Sequence, residues 1–112
     1  MSIFRSQVFL FGLFVLFIPK FVFSENMMFE LKIENHMFYP SELIVPAGVK
    51  LKLLIVNQDD TPEEFESYEL NREKVILGGK KTVIFIGPLK PGIYPFFGEF
   101  NMATAQGKVI AK

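Results

Sequence analysis

The 112-residue chain has no cysteine, no tryptophan, a single histidine and no excess of either charge, with 12 Lys+Arg set against 12 Asp+Glu. Each scarcity excludes something. Without cysteine no disulfide can form, so stability has to come from an apolar core. The lone His36 has no serine or cysteine motif around it, and neither a nucleophile elbow nor a phosphate loop is present, which argues against ordinary hydrolytic chemistry. Gly78-Gly79 and Gly87 read as turn residues. Near-neutral charge without a basic cluster argues against nucleic acid as a partner.

What the chain does have is phenylalanine, 14 residues of it, and an apolar N-terminal stretch. Arg5 precedes an uncharged run from Val8 to Ile18, Pro19-Lys20 interrupts, and Ser24 supplies a small residue at a cleavage point. This is the layout of a secretory signal peptide over residues 1–24. The rival reading is a retained anchor, but the run is shorter than the roughly 17–25 residues that span a bilayer. Cleavage after Ser24 removes Arg5 and Lys20 and leaves one domain, residues 25–112, with a net charge of −2 and no membrane span. A domain this small has one core and little to spare.

Phe29, Leu31 and Ile33 alternate with Glu30, Lys32 and Glu34, which predicts a strand with one wet face. Residues 35–40 read as a loop, Glu42–Val45 as a short strand stopped by Pro46, and 49–56 as an inner strand that turns two-sided at Leu54 and Val56. Asn57–Pro62 is a turn. Further strands are expected over 63–70, 74–77, 82–86, 93–97 and 108–112, and Pro95 implies an edge or a bulge. Phe29, Phe38, Phe85, Tyr94, Phe96 and Phe100 are expected in the core. Short strands at regular spacing without a helical segment predict an all-β fold, a Greek-key β-sandwich of seven to eight strands.

Five local patterns occur in one order: Phe38-Tyr-Pro40, Ile44-Val-Pro-Ala-Gly48, Leu54-Ile-Val-Asn-Gln-Asp59, Gly92-Ile-Tyr-Pro-Phe96 and a final glycine-led strand. Together they resemble the cupredoxin family. More narrowly, Thr61–Ser67, Arg72–Ile76, Gly87–Gly92 and Phe96–Phe100 with Thr104–Gly107 look like the small periplasmic cupredoxin-like proteins associated with bacterial iron-permease systems. The resemblance implies a periplasmic role near iron or copper, with an iron permease or another uptake component as partner.

A type 1 copper centre needs two imidazoles and a thiolate, usually with an axial Met. The family pattern places its first His at Glu63, its Cys at Gly98 and its second His at Asn101, so all three are replaced and a type 1 site is excluded. Tyr68 and Asn101 also stand where iron-transport-associated members often carry His. What remains is a set of candidate metal ligands: Glu63, Glu64 and Glu66 from one segment, Glu99 and Met102 from the C-terminal loop, and His36. Carboxylates with one imidazole and one thioether suit a copper or iron ion. Alternation around a buried Phe65 puts Glu64 and Glu66 on one face, and Glu66 with Glu99 lies in the most family-like pieces. Against this stand plainer readings: a solvated acidic surface, a loop histidine, and a methionine covering the end of the core. Three functions follow: an accessory metal-binding or redox protein, a metal-free module docking on a periplasmic or membrane partner, and a carrier whose metal is shared across a subunit interface.

Overall fold

The computed structural model describes residues 27–112, so the expected signal peptide lies outside the described residues. Nine strands form two packed sheets: Met27–Glu34 (β1), Met37–Tyr39 (β2), Glu42–Val45 (β3), Leu51–Asn57 (β4), Glu63–Ser67 (β5), Arg72–Ile76 (β6), Lys81–Ile86 (β7), Gly92–Gly98 (β8) and Gln106–Ala111 (β9). One sheet runs β2-β1-β4-β7 and the other β3-β9-β8-β5-β6, with the chain crossing between them. Among the described residues the single helical element is a 3-10 turn, Glu99–Asn101, directly after β8. No helix among the described residues is long and apolar enough to cross a membrane.

The wet-face alternation of β1 holds, with Leu31 and Ile33 inward and Glu30, Lys32 and Glu34 outward. β4 lies between β1 and β7, which explains why Leu54 and Val56 are apolar on its outer side. The expected loop over 35–40 is instead a hairpin containing β2. Asn35 and His36 both take positive φ, 53° and 58°, the geometry of the two-residue turn that matches strand twist. This ninth strand corrects the count of seven to eight.

Phe38 from one sheet packs edge-on against Phe65 and Phe96 from the other, at ring-centroid distances of 6.1 and 5.0 Å. Such edge contacts add to burial in a core that has no covalent staple. Gly107 permits this packing, since a Cβ there would come within 2.6 Å of the Phe96 ring. Phe29 and Tyr94 pack at the margin of this core. Phe85 and Phe100 do not belong to it: Phe85 points outward from edge strand β7 beneath Lys50, and Phe100 sits on the 3-10 turn. Pro95 is not in an edge strand, because β8 lies between β9 and β5. The β5 ladder reaches only Glu66↔Phe97, and beyond it the Ser67 hydroxyl donates to the Pro95 carbonyl at 2.7 Å, so the missing proline N–H interrupts no ladder bond there.

Candidate functional site

The end of the sandwich where β5 begins and β8 stops is tied together by carboxylates and amides. Asp59, in the β4–β5 turn, accepts from the backbone N–H groups of Asn35 and His36. The His36 carbonyl in turn accepts from the Thr104 hydroxyl. Buried Asn57 donates to the carbonyls of Thr61 and Ile76 and accepts from Asp59 N–H. The turn at 35–36, the turn at 57–62 and the loop at 99–105 therefore share one polar network.

Within that network β5 divides its glutamates between two faces. Glu63, Phe65 and Ser67 point into the sandwich, while Glu64 and Glu66 point out. Glu63 is 1% exposed, yet fully bonded. Its Oε1 accepts from Glu64 N–H and Phe100 N–H, each at 2.9 Å, and its Oε2 accepts from the Asn101 side chain at 2.8 Å. A Cβ on Gly98 would lie 2.6 Å from the Glu63 Cδ and 2.7 Å from the Ala105 Cβ. The three positions at which the family pattern expects His, Cys and His are thus brought together, and what they hold is a carboxylate, a missing side chain and an amide. No thiolate is available and the space is filled by Glu63, so these residues do not fit a type 1 copper ion.

The outward glutamates form a separate group. Ligand oxygens of Glu64, Glu66 and Glu99 all lie within 4.8 Å of one another. Glu66 stands opposite Glu73 on β6 and beside Phe97 on β8, and Tyr68 packs edge-on against Phe97 at 5.6 Å. A concavity of about 270 Å³ opens beside Glu66, lined by Tyr68, Asn71, Arg72 and Glu73. Arg72 does not neutralise the group, because its guanidinium donates to the carbonyls of Phe85 and Asn71. The ion pairs found among the described residues, His36–Asp59 and Lys108–Glu42, also lie outside it.

Crowded carboxylates hold protons. A hydrogen bond shared with Glu99, then partial burial, then the charges of Glu99, Glu73 and Glu64 push the Glu66 carboxyl up to about 7. Glu64 is raised too, first by burial and then by its hydrogen bond and charge contacts with Glu73 and Glu99.

Of the residues singled out from sequence, Glu64, Glu66 and Glu99 converge, while Glu63 is turned to the opposite face of β5. His36 sits in the β1–β2 turn outside this group, its Nδ1 3.5 Å from Asp59 Oδ2. Met102 lies past the 3-10 turn, half exposed, with its carbonyl accepting from the Gln106 side chain. Glu73 escaped sequence analysis because its place beside Glu66 depends on the β5–β6 register.

Among known proteins, the sequence matches the family described as cupredoxin-like domain over residues 6–111. An uncharacterized protein of Rickettsia prowazekii is 46% identical over 81 residues, a stretch that covers 72% of this chain and 65% of that protein. The chain therefore spans just under two thirds of that relative's length. Auracyanin A, a blue copper protein of Chloroflexus aurantiacus, superposes with a TM-score of 0.67 at 12% identity, covering 79% of this chain and 100% of its own. Amicyanin from Paracoccus versutus gives 0.59 at 17% identity, covering 81% and 85% of the two chains. Identities this low establish a shared fold and leave the site to be read from this chain's own residues.

Proposed function

The chain belongs to the cupredoxin-like domain family, and on that premise we propose that it is an exported accessory protein of an iron or copper uptake system. In this reading it works in the periplasm beside an iron permease and binds a divalent cation through Glu64, Glu66 and Glu99. The observation that carries the reading is the convergence of those three carboxylates within 4.8 Å. Oxygens bound to one ion at about 2.0–2.6 Å are at most roughly 4.0–5.2 Å apart, so the three carboxylates already stand near the separation that sharing an ion demands. An all-oxygen donor set suits divalent ions, among them borderline ferrous iron and, by its place in the affinity series, copper(II), far better than soft copper(I). Glu73 adds negative charge at the rim.

Calorimetric titration with copper(II), and with ferrous iron under anaerobic conditions, tests this. Wild type is expected to bind one ion, with Glu66→Ala and Glu99→Ala each weakening affinity by about tenfold or more. Absence of binding by wild type would sink the metal reading. The pH dependence has a definite sign. Glu66 keeps its proton up to about 7, and a ligand carboxylate must release it, so affinity falls as pH drops through 7. In the metal-free protein the raised value acts the other way: the contribution of Glu66 to stability is complete below the ordinary carboxylate value of 4.5 and is lost as pH rises through about 7.

One observation favours a second reading, a metal-free module docking on a periplasmic or membrane partner. Ile44, Ile110 and Ile93 lie side by side across β3, β9 and β8, and both Ile44 and Ile93 are exposed. Ile93→Lys would weaken such docking and leave metal binding unchanged.

A further inference from the structure

The copper pocket of the fold is closed here by Glu63, and the way it is closed bears on the carboxylate group outside. A single oxygen, Oε1 of Glu63, accepts the backbone N–H of Glu64 and of Phe100. Those amides flank the side chains of interest: one is Glu64's own, and the other follows Glu99 directly. The opposite flank of Glu99 is anchored as well, since Gly98 N–H donates to the Ala105 carbonyl at 2.8 Å. Oε2 holds the Asn101 side chain, fixing the far end of the 3-10 turn.

We propose that Glu63 is a positioning residue, a buried carboxylate that clamps the 99–105 loop to β5 from inside the sandwich and so places Glu99 against Glu64 and Glu66 on the outer face. The proposal rests on the metal reading for its functional consequence, but the clamp itself can be measured without metal. A carboxylate suits this place: three N–H groups converge on Glu63, two backbone donors on Oε1 and the Asn101 side chain on Oε2, whereas in Glu63→Gln the contact with Asn101 survives only if its side-chain amide turns over.

The test compares full-length wild type with Glu63→Gln, Glu63→Ala and the control Ser67→Ala. Ser67 is buried on the same face of β5, bonded to Pro95 and Leu70 at the end away from Glu99, so its loss destabilises the strand without touching the loop. Amide hydrogen exchange at Phe100, relative to core amides such as that of Ile55, is expected to speed up by about tenfold or more in Glu63→Ala, less in Glu63→Gln, which keeps an acceptor oxygen, and to change little in Ser67→Ala. Copper(II) affinity is expected to fall by about tenfold in the Glu63 variants and less than about threefold in the control. Wild-type exchange at Phe100 in folded Glu63→Ala overturns the clamp, and so does copper(II) affinity lost equally in Ser67→Ala. Failure of both Glu63 variants to fold overturns the positioning role and leaves a purely structural one. Should wild type bind no copper(II), the metal reading fails, and Phe100 exchange alone decides the clamp.

Discussion

Phe65→Ala should lower the free energy of unfolding by about 3–5 kcal/mol, read from a urea titration of the metal-free protein. Phe65 is fully buried at the centre of β5, 5.1 Å from Phe96 on its own sheet and 6.1 Å from Phe38 across the sandwich. Truncation removes the ring that both neighbours touch, and the β5 backbone is held between β6 and β8, so the cavity cannot collapse easily. A domain of this size is stable by only about 4–13 kcal/mol, and no disulfide limits its unfolded state. The variant should therefore be close to unfolding at ordinary growth temperatures. Phe85→Ala is the contrasting case. That ring is 44% exposed and loses little beyond a distant Lys50 contact, so about 1 kcal/mol or less is expected. Equal losses in the two variants would contradict the assignment of the core.

The second large effect concerns Gly98. Gly98→Ala forces a methyl group to within 2.6 Å of the Glu63 carboxyl carbon, and Ala105 blocks the other side. Overlap in a packed site costs about 1–3 kcal/mol. Displacing Glu63 also unpairs the buried ends of three hydrogen bonds, which adds about 1–3 kcal/mol. Gly98→Cys carries the same Cβ and a sulfur besides. Returning a thiol to its family position should therefore destabilise the domain and yield no blue-copper spectrum, because Asn101 and Glu63 still stand where imidazoles are needed. The overlap with Glu63 predicts its own remedy. Gly98→Ala combined with Glu63→Gly should be less destabilised than the sum of the two single changes, by about 0.5–3 kcal/mol in a double-mutant cycle. Strict additivity would show that the two residues do not compete for the same space.

The fold was largely legible from sequence, because strand alternation is a local property. β1, β3, β4, β7 and the core of β8 follow from where apolar residues recur, and Phe65 fixes the outward facing of Glu64 and Glu66. Phe85 was grouped with the core as a large aromatic at strand spacing, yet Ile84 and Ile86 on either side of it point inward and so turn Phe85 to the outer face of β7. β2 was missed because its turn is built from Asn35 and His36 in left-handed backbone without a glycine to announce it. Pro95 suggested an edge, whereas the structure accommodates it in an inner strand by ending the β5 ladder first. The candidate site was legible in part. Glu66 and Glu99 stood out through family position, but the burial of Glu63 depends on amides 37 and 38 positions away, a relation that no local pattern encodes.

On the function proposed above, a cation of this protein sits on the outer face of β5 and not in the pocket lined by Glu63, Gly98 and Asn101. Anomalous diffraction from crystals grown with manganese(II), a redox-stable stand-in for ferrous iron, tests it most directly. One peak is expected at about 2.0–2.5 Å from oxygens of Glu64, Glu66 and Glu99, with Glu63 still bonded to Phe100 and Asn101. A peak on Glu63, Asn101 or His36 instead, or no peak at the three glutamates at saturating manganese(II), would contradict it.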